Sequence, residues 1–91
     1  MIYNIEFKEQ ANIDLVTLAK NEPKAFLKAT ALIEELKLHP RTGTGKPKQL
    51  SGDRAGQWSR RITQKHRLIY EIHDTEVVVL VLTAYGHYDD K

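Results

Sequence analysis

Two segments in the first half of the chain carry apolar residues at the spacing of amphipathic helices. The first runs from about Lys8 to Lys20 and the second from Pro23 to about His39, and this spacing places the apolar side chains on one face of each helix. Pro23 is compatible with a first helical turn, where its missing N–H costs nothing. Pro40 pushes His39 out of the helical region. We therefore predict a hairpin of two helices.

The rest of the chain follows the alternating pattern of β-strands, interrupted by one long loop. Strands are predicted at Met1–Phe7, Trp58–Thr63, His66–Ile72 and Glu76–Ala84, because side chains of a strand alternate between two faces. The last of these is apolar on both faces, which is typical of a central strand. Between the helices and these strands, Pro40–Gly56 is rich in glycine, proline, threonine and lysine and has no apolar period.

The elements follow the order strand, two helices and three strands, within a single domain that covers residues 1–91. Helices segregated on one face of an antiparallel sheet make an α+β fold. We therefore predict two N-terminal helices packed on a twisted antiparallel sheet, with the other face of the sheet available for a site.

Charge is distributed unevenly, although the net charge is only +2. From Lys37 to Arg67 there are nine lysines and arginines and one acid, Asp53, whereas acids predominate in the rest of the chain. A basic segment of this kind favours a polyanionic partner such as nucleic acid. A solvated basic loop without a partner is the alternative. Loops longer than about 12–15 residues inside a domain are usually functional or disordered, and Pro40–Gly56 lies within the basic segment.

Several classes of site are disfavoured by the composition. The chain has no cysteine, and its four histidines are scattered without the spacing of metal ligands, so we expect neither a metal nor a cofactor. It shows no signal-peptide pattern and no apolar run of membrane-spanning length, so a cytoplasmic location is expected.

Arg67 is the first candidate for chemistry. In the predicted strand His66–Ile72, His66, Leu68 and Tyr70 share a mostly apolar face, and Arg67 belongs to the opposite one. An arginine on an open sheet face can hold a phosphate through two hydrogen bonds. A solvated strand arginine is the simpler interpretation of Arg67 taken alone.

The C-terminal residues His87 and Tyr88 are candidates for proton transfer, because histidine titrates near neutrality. Cleavage of RNA without a metal needs a group that takes the 2′-OH proton, groups that stabilise the phosphorane and a group that protonates the leaving oxygen. Lys46, Lys48, Arg61 and Arg67 could supply the charge. A polar chain end with no catalytic role is the alternative for His87 and Tyr88.

Four short motifs and a single leucine occur in order along the chain. They are G-T-G-K-P at 43–47, Leu50, W-S-R-R-I-T at 58–63, H-R-L-I-Y at 66–70 and G-H-Y at 86–88. In this order and spacing they resemble the YoeB-type toxins (Txe/YoeB) of the RelE superfamily. The resemblance covers nearly the whole chain, although the helices match only in pattern.

This resemblance implies a microbial-ribonuclease-like α+β fold and a toxin of a type II toxin–antitoxin system. The implied activity is that of a ribosome-dependent mRNA endonuclease that cuts in the A site and leaves a 2′,3′-cyclic phosphate or a 3′-phosphate. The implied partners are a Phd/YefM-type antitoxin, operator DNA through that antitoxin, the ribosome with its mRNA, and a second copy in a homodimer.

Residue by residue, the resemblance implies that Arg67 is the catalytic arginine and that His87 and Tyr88 are the catalytic C-terminal pair. Neighbouring basic residues are then expected to bind RNA; they are Lys46, Arg60, Arg61 and Lys65.

Lys48 departs from the family pattern. The family commonly has G-K-P-E-P-L, and its glutamate is the proposed general base, whereas this chain has Lys48 at that position. A solvated lysine is protonated near neutrality and cannot accept a proton. We predict that Lys48 stabilises charge and that proton transfer rests on His87 and Tyr88, with Glu71 as the rival base.

Two other functions remain open at this point. One is a catalytically weakened toxin homologue that binds its antitoxin and acts as an operator co-repressor, which Lys48 motivates. The other is a general RNA-binding domain outside the toxin class.

Overall fold

In the computed structural model, residues 1–86 are described. In chain order the elements are β1 (Asn4–Phe7), α1 (Glu9–Asn21), α2 (Pro23–Leu36), β2 (Lys48–Gln49), a 3-10 turn (Gly52–Arg54), β3 (Gln57–Arg61), β4 (Arg67–His73) and β5 (Val78–Thr83). None of the helices in residues 1–86 is both long and apolar enough to cross a membrane.

The five strands form one sheet in the order β1-β5-β4-β3-β2. The predicted α+β fold, with two helices packed on a sheet, is confirmed. Two details differ from the prediction: β1 runs parallel to β5, so the sheet is mixed, and the short strand β2 lies inside the predicted loop Pro40–Gly56. Alternation along a strand specifies which face a side chain takes, but it does not specify the direction of the neighbouring strand.

The core lies between the helices and one face of the sheet. α1 and α2 contribute small and branched apolar side chains, and β4 and β5 contribute every second residue. The fully buried members from these elements are Ala11, Leu18, Ala29, Leu32, Leu36, Leu68, Tyr70, Val79 and Val81. Trp58 of β3 is half-buried and packs against the same core.

The sheet face turned away from the helices is called the open face below. The alternation predicted for the fourth strand is observed: Leu68 and Tyr70 belong to the core, while Arg67 lies on the open face. β5 is less symmetrical than its sequence suggests, because Val79 is fully buried on the core side but Val78 and Leu80 are only half-buried on the open face. The open face is therefore accessible in part, because Ser59 and Ile69 are buried on it.

Candidate functional site

Two arginines oppose each other on the open face. Arg61, in the last position of β3, is paired directly with Arg67, in the first position of β4. Directly opposed residues of an antiparallel pair have Cβ atoms about 5 Å apart. Arg61 is exposed and Arg67 is half-buried. Within residues 1–86 neither arginine forms a salt bridge, so two basic residues occupy opposed positions without a described counter-charge.

Lys48 and Lys46 extend this positive region. Lys48 of β2 pairs with Ser59 of β3, which places it diagonally from Arg61 on the same face. The Arg61 N–H donates to the carbonyl of Gly45 at 2.7 Å, which holds the preceding loop against β3. Lys46 follows directly, with an exposed side chain and a φ of +53°. The structure thus brings together four of the predicted site residues; we call this set the basic patch, and its members are Lys46, Lys48, Arg61 and Arg67.

The Arg67 guanidinium is anchored on one side only. Its Nη1 donates to the carbonyl of Thr63 at 2.7 Å and, at 3.3 Å, to those of Gln64 and His66. These carbonyls belong to the turn between β3 and β4. Within residues 1–86, Nε and Nη2 of Arg67 make no hydrogen bond. The guanidinium is therefore held in place with donors left for a phosphate oxygen.

Arg60 has a different role from its neighbour. The prediction that it binds RNA is wrong, because its side chain is fully buried on the helix side of the sheet. Its Nε donates to the hydroxyl of Tyr70 at 3.1 Å. Its two terminal nitrogens donate to the Glu35 carboxylate and to loop carbonyls, those of His39, Thr42 and Thr44. With these donors occupied, Arg60 cannot reach a substrate on the open face.

The Arg60–Glu35 pair shapes the loop that precedes the basic patch. Burial of Glu35 favours its neutral form, but hydrogen bonds from the Thr44 N–H and hydroxyl and from Arg60 outweigh this and lower the pKa of the Glu35 carboxyl. Gly43 has a φ of +115°, and a Cβ there would collide with Glu35, so this close approach requires glycine. The loop residues nearest the basic patch are consequently anchored to the protein interior.

Lys65 and Glu71 lie at the margins of the basic patch. Lys65, in the turn between β3 and β4, is exposed and its ammonium is 3.7 Å from the Glu22 carboxylate. Glu71 accepts a hydrogen bond from His73 at 3.0 Å, on the open face. Glu71 is four positions along β4 from Arg67, which corresponds to about 13 Å. Glu71 is thus a poorly placed base for a phosphate held by Arg67.

A comparison with known proteins decides the family. The sequence-family model for the YoeB-like toxin of bacterial type II toxin–antitoxin systems matches residues 7–88 of this chain. The chain belongs to this toxin family. Toxin YoeB of Mycobacterium bovis is 38% identical over 77 residues, which cover 85% of this chain and 91% of that toxin. The general RNA-binding domain outside the toxin class, which the sequence left open, is thereby excluded.

Solved structures of YoeB-like toxins share the fold. A YoeB/ParE toxin from Agrobacterium tumefaciens has a TM-score of 0.88 and 32% identity, covering 93% of this chain and 99% of that one. A YoeB dimer from Staphylococcus aureus has a TM-score of 0.82 and 29% identity. A heterotetrameric YoeB–YefM toxin–antitoxin complex from the same organism has a TM-score of 0.80 and 30% identity. Both cover 97% of this chain and 100% of the matched chain.

Some predicted features of this YoeB-like toxin are untested by the structure. His87 and Tyr88 lie outside the described residues, so their assignment stays a prediction. Within residues 1–86, no three His, Cys, Asp or Glu side chains cluster as a metal site would require.

Sequence reasoning missed the buried polar residues that support the site. The sequence pattern placed His66 on a mostly apolar strand face and in the H-R-L-I-Y motif, but it predicted no role for His66, Asp14 or Glu22. His66 is only 2% exposed. The available signal was a titratable residue on a core-facing strand position, since a buried polar group needs a hydrogen-bond partner.

Proposed function

We propose that this YoeB-like toxin is a ribosome-dependent endoribonuclease that cuts mRNA in the A site. The observation that carries the proposal is the basic patch, where Arg61 and Arg67 oppose each other on an open sheet face and Lys48 lies beside them. Anchored cations without a described counter-charge suit a phosphodiester whose charge increases in the transition state.

The proposed reaction is metal-independent attack by the 2′-OH on the adjacent phosphorus. A base takes the 2′-OH proton, the 2′-oxygen bonds to phosphorus, the bond to the 5′-oxygen breaks, and an acid protonates that oxygen. The products are a 2′,3′-cyclic phosphate and a 5′-OH. We assign proton transfer to His87 and Tyr88, and stabilisation of the phosphorane to Arg67 with Lys46 and Lys48. Arg61 and Lys65 are assigned to RNA binding.

The proposed setting is the bacterial cytoplasm, with a Phd/YefM-type antitoxin as the inhibitory partner. The YoeB–YefM complex from Staphylococcus aureus supports this partner, and the YoeB dimer from the same organism supports a homodimer. Operator DNA is proposed to bind through the antitoxin.

A second candidate function follows from Lys48, which occupies the position of the family's glutamate. A toxin weakened by this replacement would still bind its antitoxin and serve as an operator co-repressor. Expression separates the two: the nuclease stops growth unless the antitoxin is co-expressed, whereas the weakened homologue does not.

The decisive experiment is cleavage of a defined mRNA on programmed ribosomes, with the product ends identified. We expect a cyclic or 3′-phosphate end from the wild type. We expect Arg67→Ala to lose about 10²–10³ in single-turnover rate, as is typical when one charge-stabilising donor is removed. Lys28→Ala, on the exposed side of α2, is the matched control and should cleave normally. A folded Arg67→Ala protein of wild-type rate would refute the assignment.

A further inference from the structure

Gly86, the last residue that the structure describes, is held on both sides. Its N–H donates to Nδ1 of His66 at 2.8 Å. Its carbonyl, which belongs to the peptide bond with His87, accepts the Arg67 N–H at 2.8 Å. Gly86 has a φ of +69°, a conformation that glycine adopts without the strain other residues incur. Two consecutive residues, His66 and Arg67, thus hold the N–H and the carbonyl of Gly86.

The hydrogen bonds of His66 assign its tautomer. Because Nδ1 accepts from Gly86, the ring proton is on Nε2, which donates to the Glu22 carboxylate at 2.7 Å. Glu22 lies at the junction between α1 and α2. The hydrogen bond from His66 is the main cause of the lowered pKa of Glu22. A carboxylate that bonds to one ring nitrogen fixes the orientation of the other.

Buried polar side chains hold the segment Ala84–Gly86. Among residues 1–86, the buried polar or charged residues are Asp14, Ser59, Arg60 and His66. Two of them bond to the C-terminal segment: His66 to Gly86, and Asp14, whose carboxylate accepts the Ala84 N–H at 2.9 Å. The ring of Tyr85 also lies against His66, with 4.4 Å between centroids.

We propose that Glu22 and His66 are positioning residues of the nuclease, acting through Gly86 on the start of the C-terminal pair. His66 holds the backbone of Gly86, the residue before His87, and Glu22 keeps the imidazole in the tautomer that accepts the Gly86 N–H. The Arg67 backbone holds the same peptide bond, so one clamp ties the proposed phosphate ligand to the proposed proton-transfer residue. This inference rests on the proposed function, because it assigns His87 a catalytic role.

Two substitutions of His66 separate its two hydrogen bonds. The amide oxygen of His66→Asn lies near the former Nδ1, so it preserves an acceptor for Gly86. The amide nitrogen of His66→Gln lies near the former Nε2, so it preserves the bond to Glu22 and removes the acceptor. Loss of an orienting partner typically costs about 10–100-fold in activity. We expect His66→Gln to lose about that much in kcat with KM for ribosomes unchanged, and His66→Asn to retain most activity.

Further variants complete the series. Glu22→Gln keeps an acceptor for Nε2 but removes the charge, and we expect a loss of a few-fold in kcat. In Gly86→Ala the new Cβ would meet no atom of residues 1–86 within 4 Å, so only the positive φ is disfavoured, and kcat should fall without loss of folding. Lys20→Ala, exposed near the end of α1, is the control. Wild-type kcat in folded His66→Gln and Gly86→Ala would overturn the inference.

A measurement independent of cleavage is amide hydrogen exchange at Gly86. We expect slow exchange in the wild type and in His66→Asn, and fast exchange in His66→Gln. Fast exchange in the wild type would overturn the clamp itself. If the wild type did not cleave mRNA on ribosomes, the proposed function would fail, and with it the catalytic role of the clamp. If exchange at Gly86 were slow in the wild type and fast in His66→Gln, but kcat of His66→Gln equalled that of the wild type, the clamp would stand and the positioning role alone would be overturned.

Discussion

Arg61 and Arg67 are paired directly across β3 and β4, on the face of the sheet that no helix covers. Like charges in this position destabilise an antiparallel pair. We therefore expect Arg61→Gln to raise the free energy of unfolding by about 0.5 kcal/mol at low salt, since opposed pairs contribute on this scale. Urea unfolding at low salt and at about 1 M salt, where the screening length falls to about 3 Å, measures the effect. An increase that persisted at high salt would contradict a Coulombic origin.

The basic patch should also make ribosome binding depend on salt. Cations that neutralise phosphates release counterions, so the logarithm of affinity falls linearly with the logarithm of salt concentration. Removal of one phosphate contact reduces the slope by about one. We expect this reduction for Lys46→Ala and for Arg61→Ala, but not for Lys28→Ala on α2. An unchanged slope in both patch variants would place the RNA contact elsewhere.

Arg60 and Arg61 should differ sharply in their effect on stability. Arg60 is fully buried and paired with Glu35, and removal of one member of a buried pair costs about 3–5 kcal/mol. We expect Arg60→Ala to lower the free energy of unfolding by roughly that amount, at the low end because Glu35 is partly exposed. Arg61→Ala should change it by less than about 1 kcal/mol, as is usual at surface positions. Similar values for the two, measured by chemical denaturation, would contradict the burial of Arg60.

Glu35 should make stability depend on pH in the acidic range. Its pKa in the folded protein is lower than its ordinary value of 4.5, because hydrogen bonds from Thr44 and Arg60 outweigh the effect of burial. A group with a lowered folded pKa stabilises the protein fully above its unfolded pKa, and this contribution is lost as pH falls through the folded pKa. We expect the free energy of unfolding to decrease below about pH 4.5. The decrease should be smaller in Glu35→Gln; equal slopes for the two proteins would exclude Glu35 as a source.

Lys48 and Glu71 test the identity of the base. Glu71 bonds to His73 and lies about 13 Å along β4 from Arg67, so Glu71→Gln should leave single-turnover cleavage nearly unchanged. Lys48 faces the open side next to Ser59. Lys48→Glu removes a charge proposed to stabilise the phosphorane but restores the carboxylate typical of the family, so a rate above that of the wild type would show that this carboxylate can act as the base. An inactive Glu71→Gln protein alongside an active His87→Ala protein would reassign proton transfer to Glu71.

Periodicity predicted those parts of the fold that depend on which face a side chain takes. The helix hairpin and the core face of β4 follow from apolar spacing. Apolar residues three or four positions apart form one buried face of a helix, and apolar residues at alternate positions form one buried face of a strand. The parallel pairing of β1 with β5 joins Asn4 to Val78, and no local pattern encodes a contact over such a sequence separation. The strand β2 was missed because two residues are too few to show alternation.

The candidate site was predicted less completely than the fold. Strand phase predicted Arg67 on the open face, where the structure places it, whereas Arg61 was proposed from its charge alone and lies opposite Arg67. The same strand phase assigns Arg60 to the face of Trp58 and Ile62, but its charge favoured RNA binding instead. The partner that makes its burial tolerable is Glu35, twenty-five positions away in sequence, and proximity of that kind becomes visible only once the helices pack on the sheet.

The register of β3 decides which arginine of the Arg60-Arg61 dipeptide is buried. A slip of one position would send every side chain of β3 to the other face, so Arg61 would enter the interior and Arg60 would leave Glu35 behind. In the observed register, Arg60 is the arginine that bonds to the Tyr70 hydroxyl and to the carbonyls of Thr44 and Thr42. Strand alignment and the placement of the outer arginine are therefore coupled, since Arg61 lies on the open face in this register and would leave it after a slip of one position.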